Sequence, residues 1–403
     1  MVGAMNCRCP VFFTTIALVL AVGPSCTSGS GDGAGDSETV GDGDGDGDGD
    51  SGDGDGDSGD GDGDSGDGDG DSGDGDSGDG DGDSGDGDGD LPACAGYFPA
   101  DAVWCQDITD AATTADSDTI AAWLEQAGWG NNDKFQIDFS LEVLEADADT
   151  PRRSFEATGA FYTPDCDYVE MPVPEVGAIE GEAGYECVSD GDCHLIVAAR
   201  DENLLYEMWR ANIIGGPGGE FFGGCLAVWD MSVVYGDEGR GQGCTSADAA
   251  GFPIAPLLFT ADEVASGSID HAIRFILPNA HIRELIYSPP ATHSTGATSG
   301  PVEAPPYGVH LRLRGDYPID DLPSEGAKVV ARALQQYGMF LADGGQIALT
   351  GQSDRFTDNK WDGLLAPQDL VALRPIDFDV IDHGALLDWG EQSCERVPLG
   401  TPP

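Results

Sequence analysis

Basic residues are scarce: 17 Lys and Arg stand against 75 Asp and Glu in 403 residues, a formal charge of −58. Nucleic acids and anionic membrane surfaces both require a basic footprint on their partner. The balance argues against either and favours cations and neutral or basic molecules. A bilayer-spanning run is also missing near the start, where the apolar stretch Val11 to Val22 is only about a dozen residues long, short of the ~20 a membrane helix needs. No C-x-x-C pair and no H-E-x-x-H motif occurs, so the common zinc spacings are absent and no metal site is expected. The serine-hydrolase elbow is missing as well. Gly351-Gln352-Ser353-Asp354 comes nearest, but Arg355 replaces the closing glycine that the tight turn requires. Gly215 to Gly224 is glycine-rich but lacks the strand–G-x-G-x-x-G–helix context of a dinucleotide site, so no bound cofactor is expected. The strand–helix alternation of a TIM barrel or Rossmann fold is not seen either.

What is present begins with an export pattern. Arg8 precedes the apolar segment, and Gly23, Pro24 and Ser25 lead to Cys26. Residues 1–25 therefore read as a signal peptide, with Cys26 as the acylated first residue of a lipoprotein. Gly23 stands where such signals usually carry Leu, and cleavage with release is the alternative. Thr27, in place of an aspartate, directs the expectation to the outer membrane, with the lipid anchor as the membrane contact.

Residues 26–90 form an acidic Gly/Asp/Ser linker; 25 acids and no base fall within 31–90, leaving 50 acids against 16 bases in 91–403. With almost nothing apolar to bury, this tract cannot offset the entropy of ordering and is expected to be a disordered stalk. A neutral chain of its length would span on the order of 45 Å, and charge repulsion extends it. Asp-x-Asp-x-Asp-Gly stretches open like calcium loops but lack the bidentate acid and flanking helices, so only weak Ca2+ binding is expected there.

Eight cysteines lie beyond the linker: Cys94, Cys105, Cys166, Cys187, Cys193, Cys225, Cys244 and Cys394. An even number in an exported chain reads as disulfides, up to four of them, with the pairing open. Residues 91–403 read as one globular disulfide-bonded β-rich domain, with 91–160 as a possible small N-terminal lobe. Asp116 to Gly128 has helical spacing, with Ser117 as candidate cap. Phe135, Ile137, Phe139, Leu141 and Val143 alternate as a strand with Gln136, Asp138, Ser140 and Glu142 outward. Pro164 to Gly184 reads as a loop tied at Cys166 and Cys187. His194–Ala199 and Leu204–Trp209 form a hairpin, and Leu226–Val234 another strand. Thr260 and Glu263 make a capping box. His271 to Leu277 is a strand with Arg274 on its opposite face, and Val309, Leu311 and Leu313 mark another. Pro289 to Pro306 is a long Pro-rich loop, Pro323 to Tyr337 the strongest helix, and Met339–Ala342 with Gln346–Thr350 a hairpin around Asp343-Gly344-Gly345. Many short strands and few helices predict a mainly β, β-sandwich-like domain, with α+β as the alternative.

Four stretches together, His194–Tyr206 (HLIVAARDENLLY), Thr245–Pro256 (TSADAAGFPIAP), His271–Phe275 (HAIRF) and Gly338–Asp343 (GMFLAD), resemble an uncharacterised family of exported bacterial proteins, many of them lipoproteins on acidic stalks. Pro290–His293 and Pro305–Gly308 fit the same pattern. The resemblance covers roughly 130–390 and implies a shared fold and export, without any catalytic assignment.

Among candidate residues, Asp248 stands out, since small apolar neighbours would bury it and raise its pKa; the alternative is that with Ser246 it caps a turn. Glu207 and Asp230 are acids beside aromatics on strands, a pattern of sugar-binding surfaces and equally of solvent-facing positions. His293, in the long loop, is the candidate general base; His271 reads as a core histidine and Glu263 as a capping acid. Arg274, Arg312 and Arg314 would clamp an anionic substrate group if they converge, or pair with the abundant acids. Asp343 reads as the acid of its glycine turn. The leading functional expectation is a lipid-anchored cell-surface protein of binding or structural type, its partner a glycan or surface protein. The competing one is a polysaccharide-active hydrolase using paired carboxylates, which convergence of Asp248, His293 and Arg274 in one pocket would favour.

Overall fold

In a computed structural model of the chain, residues 94–189 and 191–403 are described, all within one unit spanning Ser84–Pro403. The expected signal peptide 1–25, the expected lipid acceptor Cys26 and the linker 26–90 with its calcium-like repeats lie outside the described residues.

Ten strands carry the architecture: β1 Ile137–Leu141, β2 Val143–Ala146, β3 Leu195–Ala199, β4 Leu204–Trp209, β5 Cys225–Asp230, β6 Ile273–Leu277, β7 His310–Leu313, β8 Met339–Gly344, β9 Leu349–Gln352 and β10 Phe378–Val380. The α-helices are α1 Ser117–Ala127, α2 Ala261–Ser266 and α3 Glu325–Gln336. A six-stranded mixed sheet has the order β1-β9-β6-β8-β7-β10, and a four-stranded sheet the order β5-β4-β3-β2. The protein is thus mainly β with a few short helices. Residues up to 160 are divided between the sheets: β1 runs parallel to β9, and after Glu142 the chain enters β2, parallel to β3.

The alternation that marks β1 is real but does not divide core from solvent. Gln136 and Glu142 are buried, and Asp138 and Ser140 half-buried, because both faces of these strands are covered. The four-stranded sheet shows the same thing. Ile196, Ala198, Leu205, Ala227 and Trp229 enter the main core, while Leu195, Val197, Tyr206, Met208 and Leu226 fill a second core with Phe155, Met171 and Tyr185. A sheet buried on both faces reads as a continuous apolar run, which is what the LIVAA sequence of β3 contains.

The expected hairpin around Asp343 is replaced by a split arrangement. β8 lies parallel to one edge of β6 and β9 antiparallel to the other, so β6 separates them. Gly345 N donates to Leu277 O and Ile276 N to Ala348 O, so the apolar β6 satisfies the backbone of both arms at once. In α1 the helix starts at Ser117, with Asp116 as N-cap; the Ser117 hydroxyl accepts instead from Val380 N, fastening α1 to β10. The capping box on α2 forms as read from sequence, and Ser324 caps α3 by accepting from Ala327 N.

All eight cysteines pair, as Cys94–Cys105, Cys166–Cys225, Cys187–Cys193 and Cys244–Cys394. Cys166 and Cys187 therefore hold their loop through separate partners. The last bridge secures a C-terminal strap that is also gripped by Asp167. This fully buried carboxylate pairs with Arg240 at 2.6 Å and Arg396 at 2.8 Å, and accepts from Leu399 N at 2.8 Å. Cys244–Cys394 closes a separation of 150 residues, and a bridge of that span stabilises by about 2–5 kcal/mol. Replacing both cysteines by serine is expected to lower unfolding free energy by that amount in urea titration, with the other three bridges still formed.

Candidate functional site

The stretch from Cys244 to Pro256 is built of small residues, and it is buried almost throughout. A loop that crosses a protein interior needs partners for its backbone, and here they are specific. The Ser246 hydroxyl accepts from Asp248 N at 3.0 Å and donates to Phe252 O at 2.6 Å, closing the turn from within. Ala250 N donates to Ala342 O, and Ala250 O accepts from the backbone N–H groups of Thr292 and His293. Gly251 sits at φ +85, and a Cβ there would come within 2.1 Å of the Thr292 hydroxyl; glycine is required on both counts.

Three side chains from the sheets anchor this loop. Glu207, on β4 and fully buried, accepts from Ile254 N (2.8 Å), Ala255 N (2.9 Å) and Trp229 Nε1 (3.1 Å). Burial lifts its carboxyl to about 7 against the pull of these donors. His194, just before β3, donates from Nε2 to Ala247 O at 3.0 Å and pairs through Nδ1 with Glu180 at 2.6 Å. Burial disfavours its charge, but the neighbouring carboxylate outweighs that and carries His194 to about 9, so it is an imidazolium at neutral pH.

The third anchor is Arg274 on β6, which is 5% exposed. Its Nη2 and Nε bind the two oxygens of fully buried Asp248 at 2.9 and 3.3 Å, and Nη1 donates to Thr350 Oγ1 at 3.1 Å. Nη2 also reaches Asp343 Oδ2 at 3.5 Å. This last contact depends on a bulge: β6 and β8 run in register through Phe275–Leu341, then shift so that Ile276 opposes Asp343. The extra residue turns Asp343 onto the face that bears Arg274. Without it the acid would point away.

Above the loop opens a cleft of about 850 Å³, walled by Tyr162–Asp165, the long loop from His293 to Ala297, Tyr307, and the strap from Trp389 to Cys394. Asp343 lines it with 27% of its side chain exposed. Burial and then the charge of Asp248 raise its carboxyl to about 7, while Arg274 and Gly344 N–H, which bonds Asp343 Oδ1 at 2.7 Å, hold it back. His293 also lines the cleft. Its Nδ1 donates to Ala249 O at 2.8 Å, leaving Nε2 as the free lone pair, and burial lowers its pKa, so it is neutral at pH 7. The Tyr307 phenol is raised well above its usual value by burial and by Asp343 and Asp248, and stays protonated.

The structure thus brings Asp248 and His293 to the same cleft, with Arg274 behind Asp248 and outside the lining. The other candidates lie elsewhere. Asp230 is exposed at the end of β5, where it accepts from Ser232 N and Oγ. Glu207 serves the loop backbone from beneath. The three arginines do not converge: Arg312 donates to the carbonyls of Ile108, Thr109 and Ala111 and pairs with Asp379, which Arg314 shares. Asp343 was read from sequence only as a turn acid, and Tyr307 and the Glu180–His194 pair were not singled out. Asp343 does serve its glycine turn, but the β-bulge that gives it a second role has no local sequence signature. Among the described residues, two groups have metal-ligand geometry, Asp165/Cys244/Cys394 and Glu182/Cys187/Cys193. In each, the two cysteines are already bonded to one another.

The chain matches no family model, no curated protein and no solved structure.

Removing one partner of a buried, hydrogen-bonded pair leaves the other uncompensated, so Asp248→Ala is expected to cost about 3–5 kcal/mol in chemical denaturation. His194 has a folded pKa of about 9, above the ordinary 6.5. Its contribution to stability is complete below pH 6.5 and is lost as pH rises through 9. Melting curves across that window should show the loss, and His194→Gln should flatten it.

Proposed function

We propose that the domain is a polysaccharide-active hydrolase displayed at the outer cell surface, with Asp343 as general acid and His293 as general base. One observation carries the reading: a carboxyl raised to about 7 and a neutral imidazole line the same cleft. Titratable groups whose surroundings set one as proton donor and the other as acceptor are the usual mark of acid–base catalysis. Arg274 and Asp248 act on Asp343 from below. The guanidinium limits how far its pKa rises, while burial first and then the charge of Asp248 keep it above the ordinary carboxylate range.

In the proposed step, water attacks the anomeric carbon and the bond to the leaving oxygen breaks. Asp343 gives its proton to that oxygen, while His293 Nε2 takes a proton from the attacking water. Proton return through solvent resets both groups. Tyr162, Trp209 and Trp389 give the cleft three aromatic rings on which sugar faces can stack. Four disulfides support an oxidising location. The signal peptide, the Cys26 anchor and the acidic stalk complete the proposal, holding the cleft away from the outer membrane.

The test is release of reducing ends from a panel of polysaccharides by the full chain. Activity should follow a bell in pH, with kcat/KM rising through a limb below 6.5 and falling through one near 7. Asp343→Asn and His293→Ala should each lower the rate by about 10²–10⁴-fold. Binding of a glycan without any cleavage would leave a binding protein in place of an enzyme.

A further inference from the structure

A pair of histidines outside the cleft lies just upstream of the strap that walls it. His310, on β7, is buried; its Nε2 meets Tyr337 O at 2.7 Å and its Nδ1 meets His383 Nε2 at 2.9 Å. The carbonyl can only accept, so Nε2 of His310 carries the hydrogen and donates it. Its Nδ1 then holds the lone pair, and His383 Nε2–H donates to that. One fixed carbonyl thereby sets both tautomers. The His310 ring lies flat on Phe340, centroids 3.8 Å apart, and 5.2 Å from the nearly parallel ring of His383. Gly338, at φ +70, leaves the room for this: a Cβ there would come within 2.7 Å of His310 Nε2.

His383 is also what ties down its own segment. Asp382 N donates to Ala112 O, and Leu387 pairs with Tyr287. Between them, no backbone group of His383, Gly384 or Ala385 bonds outside the segment among the described residues. The pairing of Leu387–Asp388 with Ile286–Tyr287 covers two residues on each side, too short a ladder to hold alone. Directly after it comes Trp389, which lines the cleft and meets the His293 ring edge-on at 5.1 Å.

The pair has no place for an added proton between its rings, because a protonated His310 would aim one N–H at another. Burial, then the neighbouring His383, and also Arg312 push His310 down to about 3. Burial lowers His383 too, against the pull of Asp237 and Asp382. These are the charged groups that act on the two rings; Phe340 adds a ring face and Tyr337 a carbonyl. Once the segment lifts, both imidazoles meet water and titrate near the ordinary 6.5. The folded values lie below that, so the tie is complete above pH 6.5 and is lost progressively as pH falls. We propose that His310 and His383 form an acid-sensitive latch, in which proton uptake parts the two rings, lifts the segment from Asp382 to Asp388 and withdraws Trp389 from His293. The latch stands on the histidine geometry; that it regulates catalysis rests on the hydrolase reading above.

The experiment is hydrogen–deuterium exchange on the full chain at pH 7 and pH 5, corrected for intrinsic exchange rates, with the α3 peptide as reference. Opening of residues 382–389 relative to α3 should rise about 25-fold at pH 5 from the proton taken up by His310 alone, which titrates near 6.5 in the open form and at about 3 in the closed one. In His383→Ala the tie is gone, so exchange at pH 7 should already match the wild type at pH 5 and rise no further. Equal wild-type exchange at the two pH values, or a response as steep in His383→Ala, overturns the latch. Polysaccharide cleavage without the exchange response removes the latch and leaves the hydrolase. The response without cleavage of any polysaccharide removes the hydrolase and leaves the latch.

Discussion

A single arginine, sealed from water, organises the centre of this protein. Arg274 projects from the middle of the larger sheet into a face that would otherwise be apolar, and burying an unpaired guanidinium would be prohibitively costly. Asp248 answers it with both carboxylate oxygens, and to do so the loop that carries Asp248 must pass through the interior. That passage needs small residues, internal backbone partners and a glycine at φ +85, and the sequence between Cys244 and Pro256 provides all three. The ion pair and the loop are one solution to one electrostatic problem, and the cleft above them follows from where the loop then lies.

The second layer of the argument is asymmetry between two aspartates. Asp248 and Asp343 both approach Arg274, but only one guanidinium serves them. Asp248 is fully enclosed and bound at both oxygens; Asp343 has one longer contact and part of its surface in the cleft. Charge neutralisation therefore goes mainly to the inner acid, and the outer one is left with a proton affinity suited to neutral pH. His293, held in one tautomer by Ala249 O, faces the same space with its lone pair free. Asp343, His293 and the residues that support them come from the two sheets, the buried loop and the long Pro-rich loop.

Much of this was legible in the residues. The short strands, the capping box of α2, the even cysteine count and the small-residue character of the TSADAAG stretch all have local causes, and local causes leave local marks. Asp248, His293 and Arg274 were recognisable as candidates for the same reason: an acid among small apolar residues, a histidine in a long loop and a base where bases are few. What could not be read depends on distant partners. The insertion of β6 between β8 and β9, the bulge that redirects Asp343, and the commitment of Arg312 and Arg314 to Asp379 are set by pairing across long separations. The outward assignment of Gln136 and Glu142 failed because a two-residue period shows alternation and not what covers each side.

The strap from Trp389 to Cys394 gives one wall of the cleft, and a bridge to Cys244 fixes it there. The pocket is consequently an oxidation-dependent assembly. Opening the bridge between 244 and 394 would free the Trp389 end of that wall while Asp167 still held Arg396 and Leu399, so the shape of the recess, more than the core beneath it, answers to the redox state of one bond.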